Sequence, residues 1–246
     1  LSAIATSQVF PQDITAHAGY VYFTLQNAGA GGKLMKVTNT GGMVTQLGTT
    51  AASGSPFGVA MDMIGGNRIY WTEYGGGTYT IFLYDQSTST QSTVRSVPNG
   101  NVGGLAADDL GLYYTEPMYQ RSVRQTVGGG AFAVEQSINN PGRMFAIGGY
   151  VYYVYGSGGA GAVHRMKNDG SFYGAIASNL TNPSYVTSDG VNVYWSDPTD
   201  AAVYRAPVTG GTPQRIMNGF TPYALTVDGS YVYYLASSQA VHRIPK

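Results

Sequence analysis

The chain has 246 residues, 13 basic and 13 acidic, and no cysteine. Zero net charge withholds the basic footprint on which nucleic-acid binders depend, and the lack of cysteine rules out disulfides and thiolate metal sites. No run of about 18 apolar residues occurs, so no membrane-spanning helix is expected.

The 35 glycines and 21 tyrosines, with only 11% charged residues, fit many short strands joined by tight turns. A tyrosine-rich, weakly charged surface also points to a secreted or cell-surface protein. In chain order, a tyrosine-rich strand returns six times: YVYFTLQN, RIYWTEYG, GLYYTEPM, YVYYVYGS, NVYWSDPT and YVYYLASS. Their aligned tyrosines are Tyr22, Tyr70, Tyr113, Tyr152, Tyr194 and Tyr233, spaced 39 to 48 residues apart. A period near 40 residues with β content predicts propeller blades of four strands each.

Each repeat has the same internal order. A short apolar strand (DITAHA, GVAMDM, GLAADD, RMFAIG, YVTSDG, ALTVDG) runs into a turn that often carries glycine: Gly19, Gly66, Gly149, Gly190 or Gly229. The tyrosine-rich strand follows, then a third strand (KLMKV, TIFLY, SVRQT, AVHRM, AVYRA, AVHRI) and an outer strand such as MVTQLG or TPQRIM. The repeats span about 11–50, 56–98, 102–139, 141–180, 183–219 and 222–246. The sixth lacks its outer strand. The N-terminal segment, about Ala3 to Val9, is expected to supply it and remove an open sheet edge. The fold class is therefore all-β: one six-bladed β-propeller domain of four-stranded antiparallel blades, with the N-terminal strand completing the last blade. Trp71 and Trp195 are read as core between blades.

The motifs YWTE at Tyr70–Glu73 and YWSD at Tyr194–Asp197 resemble the YWTD repeats of six-bladed propellers. TVDGSYVYY and TSDGVNVYW also look like the repeats of bacterial secreted propellers of unassigned function, so the resemblance implies a bacterial source. It covers essentially the whole chain. Only the second and fifth repeats carry Trp, and the acid is missing from the first, fourth and sixth, which marks a divergent member. The resemblance implies the fold; propellers host binding, scaffolding and catalysis alike.

Antiparallel geometry puts the start of each first strand and the end of each second strand at one face of the disc. That channel-mouth face is the candidate ligand surface. Asp13, Phe57, Arg143, Tyr185 and Tyr223 are the expected ligand-binding residues at the first-strand starts. Glu73, Tyr74, Glu116, Tyr155 and Asp197 are those at the second-strand ends. Asp13 and Arg143 belong to opposite repeats; one reading points both to the channel mouth, and the favoured one has each pair locally or be solvated. Tyr and Phe beside short polar groups suit a saccharide or a protein ligand, so the leading reading is a secreted, non-catalytic binding protein, more a binder than an enzyme. The alternative is a metal-assisted hydrolase or lyase, lactonase-like, with a site in the channel.

That alternative needs oxygens converging on a cation, and calcium is the ion considered. The channel strands instead offer Thr15, Ala60, Ala106, Thr187 and Thr226, so no cofactor is expected. Asp62, Asp108, Asp189 and Asp228 fall at turns, where Asp bonds the backbone. His164 and His242 take the place of Tyr204, Phe82 and Met35 and read as packing; His17 sits at a turn. No nucleophile–base arrangement can be assembled. Lys36, Arg124, Arg165, Arg205 and Arg243 recur at one position and are expected to form local ion pairs with turn carboxylates. The glycine runs at Gly29–Gly32, Gly75–Gly77 and Gly156–Gly161 lack the parts of a phosphate cradle and read as loops.

Overall fold

The computed structural model describes residues 2–8, 10–26, 31–49, 54–62, 67–98, 102–108, 110–125, 131–136, 141–156, 158–169, 171, 173–236 and 240–246. Val9, the expected turn glycine Gly66 and part of the Gly29–Gly32 run lie outside them.

Strand β1 (Ser2–Ala5) stands apart from the first blade, which is β2 (Pro11–His17), β3 (Tyr20–Leu25), β4 (Lys33–Thr38) and β5 (Thr45–Thr49). The second blade is β6 (Ser55–Met61), β7 (Arg68–Gly75), β8 (Thr78–Asp85) and β9 (Thr90–Pro98). The third is β10 (Leu105–Asp108), β11 (Gly111–Glu116), β12 (Arg121–Gln125) and β13 (Ala131–Gln136), with a short 3-10 turn at Pro117–Tyr119. The fourth is β14 (Pro141–Ile147), β15 (Tyr150–Tyr155), β16 (Gly161–Lys167) and β17 (Tyr173–Leu180). The fifth is β18 (Tyr185–Ser188), β19 (Asn192–Asp197), β20 (Ala202–Pro207) and β21 (Gln214–Asn218). The sixth is β22 (Pro222–Val227), β23 (Tyr231–Ala236), β24 (Ala240–Pro245) and β1.

All six sheets are four-stranded and antiparallel, so the propeller read from the repeats is the fold. The first strand of each blade touches the first strands of both neighbours, and β2 meets β22 to close the ring. β1 pairs with β24 through Ser2↔Arg243, Ala3↔His242 and Ala5↔Val241. This clasp is shorter than the Ala3–Val9 expectation. Ser7 takes φ 58° and Phe10 φ 48°, left-handed conformations that end an extended strand and turn the chain into β2.

Alternation along each strand sends one set of side chains to each neighbouring blade. The core accordingly lies between blades. Trp195 packs with Tyr152, Val163 and Ile176 of blade four, while Tyr194, one residue earlier, packs with Leu225 and Tyr234 of blade six. Trp71 and Trp195 are fully buried, as expected, and each buried aromatic contributes roughly 2–3 kcal/mol by area. Near the axis the blades come too close for side chains at some positions. A Cβ on Gly104 would sit 2.5 Å from the Gly142 carbonyl oxygen, so glycine there lets blades three and four meet.

Candidate binding face at the channel mouth

The mouth of the channel is closed by side chains from three blades and a backbone amide from a fourth. Asp13 in β2 accepts bonds from its neighbour Ile14 N–H through Oδ1 and from Val59 N–H of blade two through Oδ2, both at 2.9 Å. Arg143 of β14 reaches across the axis to place Nη1 3.5 Å from Asp13 Oδ2. Its Nη2 donates to the Tyr185 hydroxyl at 3.1 Å, and that hydroxyl donates to the Gln12 carbonyl at 3.2 Å. The guanidinium also lies 4.8 Å from the Tyr185 ring centroid. Asp13 and Arg143, expected to pair locally or be solvated, therefore pair with each other across the ring.

Burial sets the electrostatics here. Desolvation raises the Asp13 carboxyl above the ordinary carboxylate range, although Arg143 and the two amides pull the other way. Desolvation also opposes charge on Arg143, but Tyr185 and Asp13 more than offset it and its pKa is raised. Desolvation raises the Tyr185 phenol, against the pull of Arg143. Around this lock and along the inner strands lies a cavity of about 30 Å³, bordered by Thr15, Ala60, Ala106 and Thr226. That is room for one or two waters and not for an organic substrate.

The four expected carboxylates separate into roles. Glu116 is 1% exposed and takes a bond from Arg121 Nε at 2.6 Å, with Arg95 at 4.0 Å on its other oxygen. Asp197 is buried and accepts the amides of Asn182, Thr199 and Asp200 at 2.8, 3.0 and 3.1 Å. Glu73 is buried against Gly54, where no side chain would fit. With Asp13 in the lock, Glu116 and Asp197 tie loops and strands together beneath the surface. Among the described residues no three Asp, Glu or His side chains are grouped to hold a metal ion.

The aromatic residues present themselves differently. Phe57 packs on Tyr79 at 5.3 Å between centroids, and Tyr79 on the exposed Tyr74 at 4.7 Å. Tyr223 is exposed at the start of β22. Tyr155 is half-buried, its hydroxyl 3.2 Å from His164 Nε2. Three residues that sequence reasoning missed join this face: Phe10 and Phe220 in the connections between blades, and Met118 in the 3-10 turn after β11. An apolar residue in a connection, where turn chemistry asks for none, was the available signal. Next to Met118, Tyr119 is exposed under the Arg121 guanidinium at 5.0 Å. Among the described residues, the aromatics exposed by more than a third are Phe10, Tyr74, Tyr119, Phe220 and Tyr223 at the mouth face and Tyr20 at the other. Tyr20 is covered by the Lys36 ammonium 3.8 Å from its centroid.

The opposite face is built from the turn aspartates. Oδ1 of Asp108, Asp189 and Asp228 each accepts two hairpin amides. Their Oδ2 atoms take bonds from the next blade: Asn168 to Asp108, Lys246 to Asp189 and Asn39 to Asp228. Desolvation works against the charge on Asp189 and Asp228, yet these bonds outweigh it and hold both pKa values below the ordinary range. Three of the recurrent cations have an aromatic partner. Lys36, Arg165 and Arg243 lie over the rings of Tyr20, Tyr150 and Tyr231, and Asp189 takes its ion pair from Lys246. In these three blades the ladder seats the cation diagonally opposite the tyrosine that opens the second strand, which puts a ring within its reach.

No family model matches the chain. Among solved structures, the chain is similar to one from a nidogen/laminin complex: TM-score 0.78 and 16% identity, covering 92% of this chain and 89% of that one. It is also similar to a protein of unknown function from Bacteroides thetaiotaomicron, with TM-score 0.77, 13% identity, and 99% and 71% coverage. A third match is the PQQ-bound aldose sugar dehydrogenase of Streptomyces coelicolor, with TM-score 0.75, 14% identity, and 100% and 96% coverage. These likenesses establish a fold shared by proteins of different function.

Proposed function

We propose that the protein is a non-catalytic binding protein, acting outside the cell, that takes a polypeptide ligand on the channel-mouth face. The observation that carries this reading is the gathering of exposed aromatics on that face. Tyr, Phe, Met and Arg are the residues enriched where proteins meet, because they bury large areas at small entropic cost. The carboxylates beneath them are engaged in holding loops, so the surface presents rings and backbone. The filled channel favours a surface ligand over the alternative of a lactonase-like hydrolase or lyase, whose substrate would need the space occupied by Arg143, Asp13 and Tyr185. The similarity to a chain of a nidogen/laminin complex supports a protein partner. The low content of charged residues, 11%, supports the extracellular location; among the described residues no helix is long and apolar enough to cross a membrane.

The test is a selection of random displayed peptides on immobilised protein, with a glycan array run in parallel. Enriched peptides that lose binding to the Tyr74→Ser/Tyr223→Ser variant support the proposal. Glycan hits without peptide enrichment would replace the polypeptide with a saccharide, and peptides indifferent to the variant would remove the face.

A further inference from the structure

In five blades a cation stands directly across the ladder from a second-strand tyrosine: Lys36 from Tyr22, Arg124 from Tyr113, Arg165 from Tyr152, Arg205 from Tyr194 and Arg243 from Tyr233. In blade three the second strand opens on Gly111. In blades one, four and six the cation also lies over the tyrosine that opens the second strand. The distances are 3.8 Å for Lys36 on Tyr20, 5.1 Å for Arg165 on Tyr150 and 4.5 Å for Arg243 on Tyr231. In blade five the opening residue is Asn192. Beside it is a half-open cavity of about 290 Å³, lined by Asn192, Arg205, Pro207, Gly211, Thr212 and Gln214.

The turn beside the cavity resembles that of a filled blade. Gly41 and Gly42 of blade one have φ 90° and 131°, and Gly210 and Gly211 of blade five have 89° and 148°. The cavity thus adjoins a turn of the same form, at the place where Asn192 stands for the Tyr20 of blade one. Its guanidinium is oriented: Arg205 Nε donates to Gln214 Oε1 at 3.1 Å.

We propose that this cavity is a binding site for a hydroxyphenyl group, supplied by a tyrosine of another chain or by a free phenol. The chemistry is the one the neighbouring blades already use. A guanidinium attracts an aromatic face, most strongly where water is partly excluded. Pro207 and Gly211 give apolar walls. Asn192 and Thr212 carry amide and hydroxyl groups able to bond the phenol oxygen at the rim. Space is sufficient, since an apolar cavity of about 150 Å³ holds a benzene ring. The site lies at the hairpin end of β19, on the face opposite the channel mouth, so it stands independently of the function proposed above.

The test follows the Arg205 Nε–Hε resonance by ¹⁵N–¹H NMR during titration with p-cresol, with acetyl-Gly-Tyr-Gly-amide and with cyclohexanol. The expected result is a saturable shift with p-cresol in about the millimolar range, as a ligand of this size allows, and none with cyclohexanol. Asn192→Tyr fills the space from within and should weaken p-cresol binding by about tenfold or more while leaving the melting temperature equal or higher. Its Arg205 resonance should already sit near the p-cresol-saturated position. Should that variant fold poorly, Asn192→Phe serves the same comparison. Tighter binding of the peptide assigns the site to a protein chain, and tighter binding of p-cresol assigns it to a free phenol. An absent or non-saturating shift, or one unchanged in both filled variants, overturns the proposal.

Discussion

Replacing Asp13 with alanine tests the lock at the channel mouth. The substitution removes the acceptor for Val59 N–H and Ile14 N–H and the counter-charge of Arg143, whose side chain is 17% exposed. A buried donor without a partner costs about 1–3 kcal/mol, and breaking a buried ion pair from one side costs about 3–5 kcal/mol. Because Tyr185 keeps its bond to Arg143, the lower half of that range applies, about 3–4 kcal/mol. In a domain of this size each kcal/mol moves the melting temperature by about 2–4 °C, so a fall of roughly 6–16 °C is expected. Urea unfolding should show a lower midpoint with an unchanged slope. Asp13→Asn keeps an acceptor and should cost less than alanine. The pH dependence has a definite sign. The folded pKa of Asp13 is raised above 3.8, so the folded state holds its proton more readily than the unfolded chain. The stability this contributes is full below 3.8 and is lost as pH rises through the folded value. Alanine should erase that slope. A destabilisation below about 0.5 kcal/mol, the size of an ordinary surface change, would refute the lock.

Ile4→Ala in the clasp removes a buried side chain that packs with Val241 and Leu235, and should cost about 2–5 kcal/mol by urea unfolding. A cost near zero would show that β1 does not hold the ring closed. His242 is stacked between Phe220 and Tyr234, and burial lowers its pKa below 6.5. The unfolded chain then takes up the proton first, so stability is lost as pH falls from 6.5 through the folded value, and His242→Phe should flatten a melting-temperature profile in that window. In a thermal-shift titration, calcium should leave the melting temperature of EDTA-treated protein unchanged; a saturable rise would mean a native-state metal site and reopen the hydrolase reading.

The ring of blades was legible because each blade repeats one strand order with tyrosines in register, and the clasp because the sixth repeat stops one strand short. The turn aspartates were legible too, since Asx bonding is local and needs only the next three residues. What escaped was any feature set by side-chain reach between blades. Asp13 and Arg143 are 130 positions apart and meet only because their strands face each other across the axis. Glu116 looked available, but β11–β12 pairing sets Arg121 opposite it and the second blade adds Arg95. Lys36, Arg165 and Arg243 meet rings because the register puts Tyr20, Tyr150 and Tyr231 one diagonal step away. Phe10 and Phe220 escaped because they precede the strand starts, in connections that share no repeated pattern to mark an exposed ring.

The most direct measurement compares binding of the selected peptides to two variants by isothermal titration. One carries Phe10→Ser, Tyr74→Ser, Tyr119→Ser and Tyr223→Ser at the mouth; the other carries Tyr20→Ser, Met43→Ser, Leu110→Ser and Val191→Ser on the opposite face. The account predicts that the first loses affinity by about a hundredfold or more, two truncated anchors at about 1.4–2 kcal/mol each being enough, while the second binds like the natural chain. Equal losses in both, or a loss confined to the second, would contradict a ligand face at the channel mouth.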